Sequence, residues 1–271
     1  MNPLPPPLLT FIHISDTHLH RSPAYTGPFV NFSAYAGVET LIEAINALPF
    51  PIDFVLHTGD IMTDPESAVE YQVAAQMLSR IRYPIYYLAG NHDRSEDVQS
   101  VMMGYPPEQI RPNLDYEFSV NGVQVICLDS NHAEGHSGRL EADQLAWLDN
   151  LCSTNDPRPL VVALHHHALP LAAPWLDGIV LENGTELHRI LLQARHRLRG
   201  VFYGHIHENT VTTRDGISYY STLSAWFQTR TWYNQVDPAN DPLLREPGFS
   251  VVTLTQQDTF VRFYRYPLKT L

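Results

Sequence analysis

Five short apolar runs along the chain each end directly in a group of carboxylate, amide or imidazole side chains. The runs have the length of buried strands, and each is bounded by residues typical of turns. The groups that end them are, in chain order, Asp16-Thr-His18, Gly59-Asp60, Gly90-Asn91-His92-Asp93, His165-His166-His167 and Gly204-His205-Ile-His207. Because ligands bind at the carboxyl ends of strands in α/β sheets, we expect the five groups to meet in one crevice.

Helical patterns alternate with the strands along most of the chain. Apolar positions near a 3.6-residue period predict helices over 35–48, 66–81, 95–102, 141–152 and 185–198. Strands are predicted over 8–15, 52–58, 85–89, 116–120, 123–128, 160–164, 200–203, 210–214, 217–221, 249–254 and 260–266. The last four strands follow one another closely, which predicts antiparallel pairing. The pattern indicates an α/β fold with mixed sheets in layers.

The length and composition favour one ordinary globular domain. We predict a single domain over residues 1–271, with an extended tail over 1–7 and a long loop over 229–247. The two cysteines are expected to be buried thiols rather than a disulfide. No apolar run approaches the roughly 18 residues of a membrane span, and the first residues do not resemble a signal peptide. We therefore expect no membrane association and a cytoplasmic location.

The charge balance bears on the partners of the chain. Lys and Arg number 17 against 29 Asp and Glu, for a formal net charge of −12. Nucleic-acid polymers are bound through many phosphate contacts from Lys and Arg, and this acidic chain has no runs of basic residues. We expect no nucleic-acid partner and a small-molecule substrate instead.

The spacing of the polar groups suits metal ions. Residues two apart in a strand point the same way, so Asp16 and His18 could grip one ion. His205 and His207 have the same spacing and could contact two neighbouring ions. Asp60 offers two oxygens and could bridge them. Oxygen and imidazole ligands without thiolate favour catalytic over structural sites, and suit Mn, Fe, Zn or Co.

The ordered set DTH, GD, GNHD, HHH and GHIH resembles the calcineurin-like metallophosphoesterase superfamily, over residues 16–207. The longer patterns SDTHL, GDIMTD, HHHALP, LENGTELHRIL and PGFSVVTL resemble its class III cyclic-nucleotide phosphodiesterase and glycerophosphodiesterase branch. The resemblance implies a four-layer αββα sandwich with two mixed β-sheets. It also implies two divalent or trivalent transition metal ions (Mn, Fe or Zn) at the strand ends.

Metal ligands follow from the resemblance residue by residue. The first metal would be held by Asp16, His18, Asp60 and His207, and the second by Asp60, Asn91, His166 and His205. The choice of His166 rests on aligning HHHALP with the HHPPLP of the family, where the second histidine is the ligand. His165 and His167 remain the alternatives.

His92 is expected to act on the substrate rather than to bind metal. It would face the phosphate, stabilise developing charge and protonate the leaving oxygen. Asn91, His207 and Asn183 are the other expected substrate contacts. For Asn183 the alternative is a cap on the helix predicted over 185–198.

Four further side chains have two interpretations or a supporting role. Asp93 is expected to orient its loop or His92, and Asp64 to cap or brace the loop after Asp60. The short Pro-Ser-Thr segment of the family appears here as residues 222–228, TLSAWFQ, in which Trp226 and Phe227 could either stack on a base or pack the loop.

The sequence thus predicts a dinuclear metal-dependent phosphodiesterase. Its substrate would be a small soluble phosphodiester, a cyclic nucleotide or a glycerophosphodiester, attacked by a hydroxide that bridges the metals. The alternatives are a phosphomonoesterase, or a pyrophosphate hydrolase of nucleotides or lipid precursors, on the same metal core. A non-catalytic binding module on the same fold is a third hypothesis. Relatives in the family suggest a homodimer.

Overall fold

A computed structural model describes residues 6–27, 30–132, 135–234 and 246–268, in which the strands form two sheets. The first sheet contains β1 (Leu9–Ile14), β2 (Phe54–His57), β3 (Ile85–Tyr87), β10 (Gly248–Leu254) and β11 (Thr259–Arg265), in the order β11-β10-β1-β2-β3. The second contains β4 (Tyr116–Val120), β5 (Val123–Cys127), β6 (Leu160–Ala163), β7 (Leu198–Tyr203), β8 (Val211–Arg214) and β9 (Ile217–Ser221), in the order β4-β5-β6-β7-β9-β8. Every strand predicted from the sequence is present, with ends that differ by a residue or two.

Both sheets are mixed, as predicted. Strands β1, β2 and β3 are parallel, and so are β5, β6, β7 and β9. The last four strands pair antiparallel only as two hairpins, β8 with β9 and β10 with β11. The expected pairing of β9 with β10 is wrong. Strand β9 ends at Ser221 and β10 begins at Gly248, so no tight turn joins them, and β10 pairs with β1 in the other sheet.

The helices are shorter than the periodic patterns that predicted them. They are α1 (Ala34–Asn46), α2 (Tyr71–Leu78), α3 (Ser95–Asp97), α4 (Ala142–Cys152), α5 (Pro174–Asp177) and α6 (Gly184–Leu191). The pattern over 66–81 contains a separate 3₁₀ turn before α2, and that over 95–102 continues from α3 as a π-helical turn. The pattern over 185–198 ends early because Leu198 begins β7. Helix α5 was not predicted, since four residues are too few to show a helical period.

Three apolar clusters define the four layers. The middle cluster fills the space between the sheets, where Phe11 stacks on Phe54 at 5.0 Å and meets the edge of Phe202 at 5.2 Å. A second cluster packs α1 and α2 on the outer face of the first sheet, and a third packs α4 and α6 on the second. Each large apolar side chain buried in this way stabilises the fold by about 1.5–3 kcal/mol. The predicted αββα sandwich is therefore confirmed.

The parallel strands of both sheets end at a common edge. The N–H of Asp16, after β1, donates to the carbonyl of Gly59, after β2, at 3.0 Å. The N–H of Gly204, after β7, donates to the carbonyl of His165, after β6, at 3.0 Å. A bridge between Ser15 and the segment after β9 joins the two sheets at the same place. The fold thus assembles the polar groups that end the strands.

The structure tests only some of the remaining predictions on cysteines, tail, loop and domain organisation. Both cysteines are buried free thiols, as expected. Residues 1–5 of the predicted tail and 235–245 of the predicted long loop lie outside the described residues. Within the part of the chain that is described, no helix combines the length and apolar character needed to cross a membrane. The single-domain boundary stays a prediction.

A partly buried polar network braces the segment after β5, which contacts the triple histidine through Ser130. Asp115 Oδ1 accepts the N–H of Asp129 at 2.9 Å and a hydrogen from Gln144 Nε2 at 2.8 Å. The same Gln144 nitrogen donates to the carbonyl of Asp129 at 2.7 Å. Burial raises the pKa of Asp115 to about 6, although these hydrogen bonds oppose the rise.

Asp115→Asn is expected to stabilise the protein at neutral pH but not in acid. The folded state holds this proton more tightly than the unfolded chain, whose pKa is near 3.8, so the stability contributed by Asp115 falls as pH rises from about 4 to about 6. Asparagine keeps the acceptor oxygen and removes the titration. We expect a gain in the free energy of unfolding of about 1 kcal/mol above pH 6, vanishing below pH 4. Urea unfolding of both proteins across this range measures it, and a gain that does not vary with pH would contradict it.

Candidate metal centre and active site

The first cluster of donor atoms comes from the ends of β1 and β7. Ligand atoms of Asp16, His18 and His207 lie within 4.8 Å of one another, and all three residues are buried. The Nε2 atoms of His18 and His207 are 3.0 Å apart, and His207 Nε2 is 3.3 Å from Asp16 Oδ1. Two imidazole nitrogens and a carboxylate that face one point are the donor set of a transition-metal site.

Asp60 connects this cluster with a second one. Its Oδ2 atom lies 3.6 Å from His18 Nε2 on one side and 3.3 Å from His165 Nε2 on the other. Its Oδ1 atom accepts the N–H of His92 at 3.0 Å, which fixes the plane of the carboxylate. One buried oxygen thus faces imidazoles of both clusters, the position expected of a ligand that bridges two ions.

The second cluster contains His165 as well as the predicted His166. The ring that contacts Asp60 also lies 3.1 Å from Asn91 Oδ1, through its Nε2 atom, and it belongs to His165 rather than to His166. His166 turns its Nδ1 toward Ser130 Oγ at 2.8 Å, while its Nε2 is buried without a hydrogen-bond partner. His205 completes the group, since its ligand atoms lie within 4.8 Å of those of His165 and His166. This geometry favours His165 over the predicted His166.

Hydrogen bonds to backbone carbonyls fix the tautomers of three histidines. The Nδ1 atoms of His165 and His207 lie 2.7 Å from the carbonyl of Thr58 and 2.8 Å from that of Phe227. The Nε2 atom of His205 lies 3.0 Å from a carbonyl of the loop after α5. The nitrogen that meets a carbonyl must carry a proton, so in the neutral ring the opposite nitrogen presents a lone pair. Such an outer hydrogen bond is usual for metal-binding histidines.

The protonation states also suit cations. Burial lowers the pKa of His18 to about 3 and holds that of His205 well below its ordinary value, so both rings are neutral. Burial would raise the pKa of Asp60, but His165 and the neighbouring imidazoles hold it well below the usual range. Burial alone would lower the pKa of His165, but the neighbouring Asp60 raises it to about 9. A cation beside Asp60 therefore competes with a proton on His165.

The backbone is strained at five of these positions. Asp16, His18, Asp60, His205 and His207 all have positive φ angles, between 44° and 69°. Non-glycine residues adopt this left-handed region at a cost of about 1–2 kcal/mol each, and such residues concentrate at functional sites. This backbone strain costs stability, and it directs the five side chains toward the two clusters of donor atoms.

His92 borders the first cluster without joining it. Its ring meets that of His18 at 5.1 Å, and its side chain is 25% exposed. The Nδ1 atom lies 2.7 Å from Asp64 Oδ1. Burial lowers the pKa of His92, but Asp60 and Asp64 outweigh it and the pKa rises. The imidazole is therefore oriented by Asp64 and kept ready to carry a proton.

Comparison with known proteins decides the family. The family model described as calcineurin-like phosphoesterase matches residues 9–209, a range that contains both clusters and His92. The chain belongs to the calcineurin-like phosphoesterase family. The resemblance drawn from the ordered motifs is confirmed, and as a member of this family the protein is a metal-dependent phosphoric ester hydrolase.

Relatives of this phosphoesterase include both enzyme types of the predicted branch. A 3′,5′-cyclic adenosine monophosphate phosphodiesterase, CpdA of Vibrio vulnificus (strain CMCP6), is 28% identical over 252 residues, which cover 91% of this chain and 85% of the relative. The glycerophosphodiester phosphodiesterase GpdQ of Enterobacter lignolyticus (strain SCF1) is 32% identical over 208 residues, covering 74% and 71%. A dimetal phosphatase from Danio rerio shares the fold, with a TM-score of 0.72 at 13% identity over 97% of this chain and 100% of that one.

The two predicted supporting residues both make contacts within the loops of the site. Asp93 fits the first of its expected roles, orienting its own loop, because its Oδ2 atom accepts the N–H of Gly90 at 3.0 Å. Its carboxylate accepts the N–H groups of Ile61 and Met62, each at 3.0 Å, and so ties the loop after Asp60 to its own loop. The orientation of His92 falls to Asp64 instead, as its 2.7 Å contact shows.

Asn183 stands at the N-cap position of α6, as one of its two predicted roles requires, but its side chain is engaged elsewhere. Its Oδ1 atom accepts the N–H of Leu140 at 3.1 Å and its Nδ2 atom donates to the carbonyl of the same residue at 2.7 Å. The side chain makes no capping bond to α6. Both ends of the amide are therefore engaged in joining two loops, and we do not retain Asn183 as a substrate contact.

The structure adds one imidazole that no motif indicated. His136 Nδ1 lies 3.1 Å from Asn91 Nδ2, and the His136 ring is 5.5 Å from that of His92. The bond directs the amide nitrogen of Asn91 outward and leaves its oxygen toward His165. His136 lies in a loop outside the family patterns, so only the folded structure could locate it.

Removing the carboxylate of Asp64 is expected to slow the reaction without preventing metal binding. We expect Asp64→Gly, which tolerates the positive φ of 43° at this position, to lower kcat about 10-fold because His92 loses its orientation. Asp64→Asn keeps an acceptor oxygen for His92 and should retain more activity. Steady-state kinetics of both variants, with metal content measured alongside, test this. Equal losses in the two variants would show that Asp64 does not act through the hydrogen bond.

Proposed function

We propose that this phosphoesterase is a dinuclear metal-dependent phosphodiesterase that hydrolyses a small soluble phosphodiester, either a cyclic nucleotide or a glycerophosphodiester. The observation that carries the proposal is the position of Asp60. Its Oδ2 atom lies 3.6 Å from His18 Nε2 and 3.3 Å from His165 Nε2, between two groups of buried donors.

The proposed ligands divide between the two clusters. Asp16, His18, Asp60 and His207 would hold one ion, and Asp60, Asn91, His165 and His205 the other, with His165 in place of the predicted His166. The donors suit Mn, Fe or Zn. When bound, such a pair activates a water as nucleophile and offsets negative charge that develops on the phosphoryl group.

The chain itself would supply positioning and proton transfer. Asn91 and His207, besides their place in the clusters, and His92 beside them are the proposed contacts for the phosphate. His92, held by Asp64, donates a proton to the oxygen that leaves, and its raised pKa keeps that proton available. Asp93 keeps the loops that carry Asp60 and Asn91 together through its backbone hydrogen bonds.

Support for a small diester comes from two directions. Two of the relatives carry the names of a cyclic adenosine monophosphate phosphodiesterase and a glycerophosphodiester phosphodiesterase. The net charge of −12 disfavours the binding of a polyanionic polymer such as a nucleic acid. The cytoplasmic location and the homodimer stay predictions.

A comparison of a phosphodiester with a phosphomonoester tests the proposal. Bis-p-nitrophenyl phosphate and p-nitrophenyl phosphate share a leaving group, so their rates with added Mn²⁺ report the preferred bond. We expect faster turnover of the diester, followed by activity on cyclic nucleotides or glycerophosphodiesters in a panel that includes nucleotide pyrophosphates. Preference for the monoester or for pyrophosphates would favour the corresponding alternative enzyme. No hydrolysis and no bound metal would favour a binding module.

A further inference from the structure

The segment between β9 and the predicted long loop forms one wall beside the first cluster. Its backbone is anchored on both sides of the site, because Ser224 Oγ donates to the carbonyl of Asp16 at 2.8 Å and the N–H of Thr229 donates to the carbonyl of His207 at 3.2 Å. The carbonyl of Phe227 in turn accepts a hydrogen from His207 Nδ1. The position of this segment is therefore coupled to two proposed metal ligands.

The two aromatic residues of this segment have different environments. Trp226 is 3% exposed, its Nε1 donates to the carbonyl of Phe32 at 3.0 Å, and its ring lies against Gly27, where an added Cβ would be 2.5 Å away. Trp226 therefore packs the loop. Phe227 is only partly buried, and its ring lies 4.4 Å from that of His207 and 6.2 Å from that of His18. An apolar ring thus lies beside two imidazoles of the first cluster.

A second aromatic pair continues the wall. His20 and Tyr25 stack at 4.2 Å with an interplanar angle of 23°, and both are partly exposed. The Tyr25 ring is 6.2 Å from that of Trp226, which itself lies 5.0 Å from that of Phe227. His20 Nδ1 accepts the N–H of Ser22 at 3.0 Å, which fixes the orientation of the His20 ring. Together, the rings of Phe227, Tyr25 and His20 form what we term the aromatic wall.

We propose that the aromatic wall receives the heteroaromatic base of the substrate, so that this phosphoesterase prefers cyclic nucleotides to glycerophosphodiesters. The inference rests on the proposed function and specifies its substrate class. Base–aromatic stacking accepts any planar base, because each presents a π-face. A glycerol group carries hydroxyls that lose hydrogen bonds to water when they are placed against ring faces, which disfavours it at such a surface.

A base-free substrate isolates the contribution of the wall. A purine 3′,5′-cyclic nucleotide and ribose 3′,5′-cyclic phosphate present the same ester ring to the cavity and differ in the base. We expect kcat/KM of the wild-type protein, loaded with Mn²⁺, to be about tenfold or more higher for the nucleotide. A glycerophosphodiester should be hydrolysed less efficiently than the nucleotide.

Substitution of Phe227 then tests the residue itself. Phe227→Leu keeps an apolar side chain and the backbone carbonyl that holds His207, and is expected to lower the nucleotide to base-free ratio about tenfold, mainly through KM for the nucleotide. Phe227→Tyr should preserve the ratio. Phe260→Leu, the same change at an exposed position on β11, is the matched control and should also preserve it.

The outcomes separate this inference from the proposed function. A wild-type ratio near unity, or equal effects of Phe227→Leu on both compounds, would overturn the aromatic wall as a specificity surface while leaving a phosphodiesterase in place. A glycerophosphodiester preferred to the nucleotide would overturn it in the same way. Failure of the protein to hydrolyse any of these diesters would remove the proposed function and this inference with it.

Discussion

Asp60→Asn is expected to lower kcat/KM for any phosphodiester at least about 1,000-fold, because Asp60 would be a ligand of both proposed ions, and the charge stabilisation that such ions supply is worth several kcal/mol. The substitution preserves size and one carbonyl oxygen. It removes the negative charge that faces His18 and His165 at 3.6 and 3.3 Å. Bound metal, measured by elemental analysis after gel filtration, should fall together with activity.

The control for Asp60→Asn is the same change on the surface. Asp258 is exposed in the turn between β10 and β11, and Asp258→Asn should keep full activity and metal content. Near-normal turnover in Asp60→Asn, or loss of activity with metal content unchanged, would contradict a bridging role for this carboxylate.

His92→Ala is expected to lower kcat by about 100- to 10,000-fold for a substrate with an alkoxide leaving group, the usual contribution of a general acid. The imidazole lies beside the first cluster and does not belong to it, so metal content should stay at the wild-type level. The loss should be much smaller for bis-p-nitrophenyl phosphate, because p-nitrophenolate leaves without a proton. Asp64→Gly should show the same dependence on the leaving group in weaker form, since Asp64 acts through His92.

Equal losses for good and poor leaving groups would contradict proton donation by His92 and leave it as a residue that binds the phosphate. Loss of metal in His92→Ala would show instead that the substitution disturbs Asp60, whose Oδ1 accepts the N–H of residue 92. The alanine retains that N–H, so we expect the carboxylate to keep its orientation.

The strands and the place of the site could be predicted because they depend on local patterns. Each apolar run in a layered α/β fold is buried on at least one face, and the polar groups stand where these runs end. Once the strand ends are known, they are enough to predict that four residues lie close together: Asp16, His18, Asp60 and Asn91. Strand pairing was less accessible, since the hairpins of β8–β9 and β10–β11 look alike in sequence but join different sheets.

The choice among three consecutive histidines depends on side-chain direction, which the sequence does not contain. His165 and His166 have the same chemistry and adjacent positions, but the first meets Asp60 and the second meets Ser130. The same limit applies to Asn183, where a loop packed from another part of the chain brings Leu140 to both ends of the amide. Contacts between segments far apart in sequence decide both cases.

Anomalous diffraction from crystals of the Mn-loaded protein tests the central claim most directly. Two adjacent peaks are predicted, with Asp60 reaching both, Asp16, His18 and His207 around one, and Asn91, His165 and His205 around the other. A single peak, or two peaks with no shared carboxylate, would contradict a dinuclear centre built on Asp60.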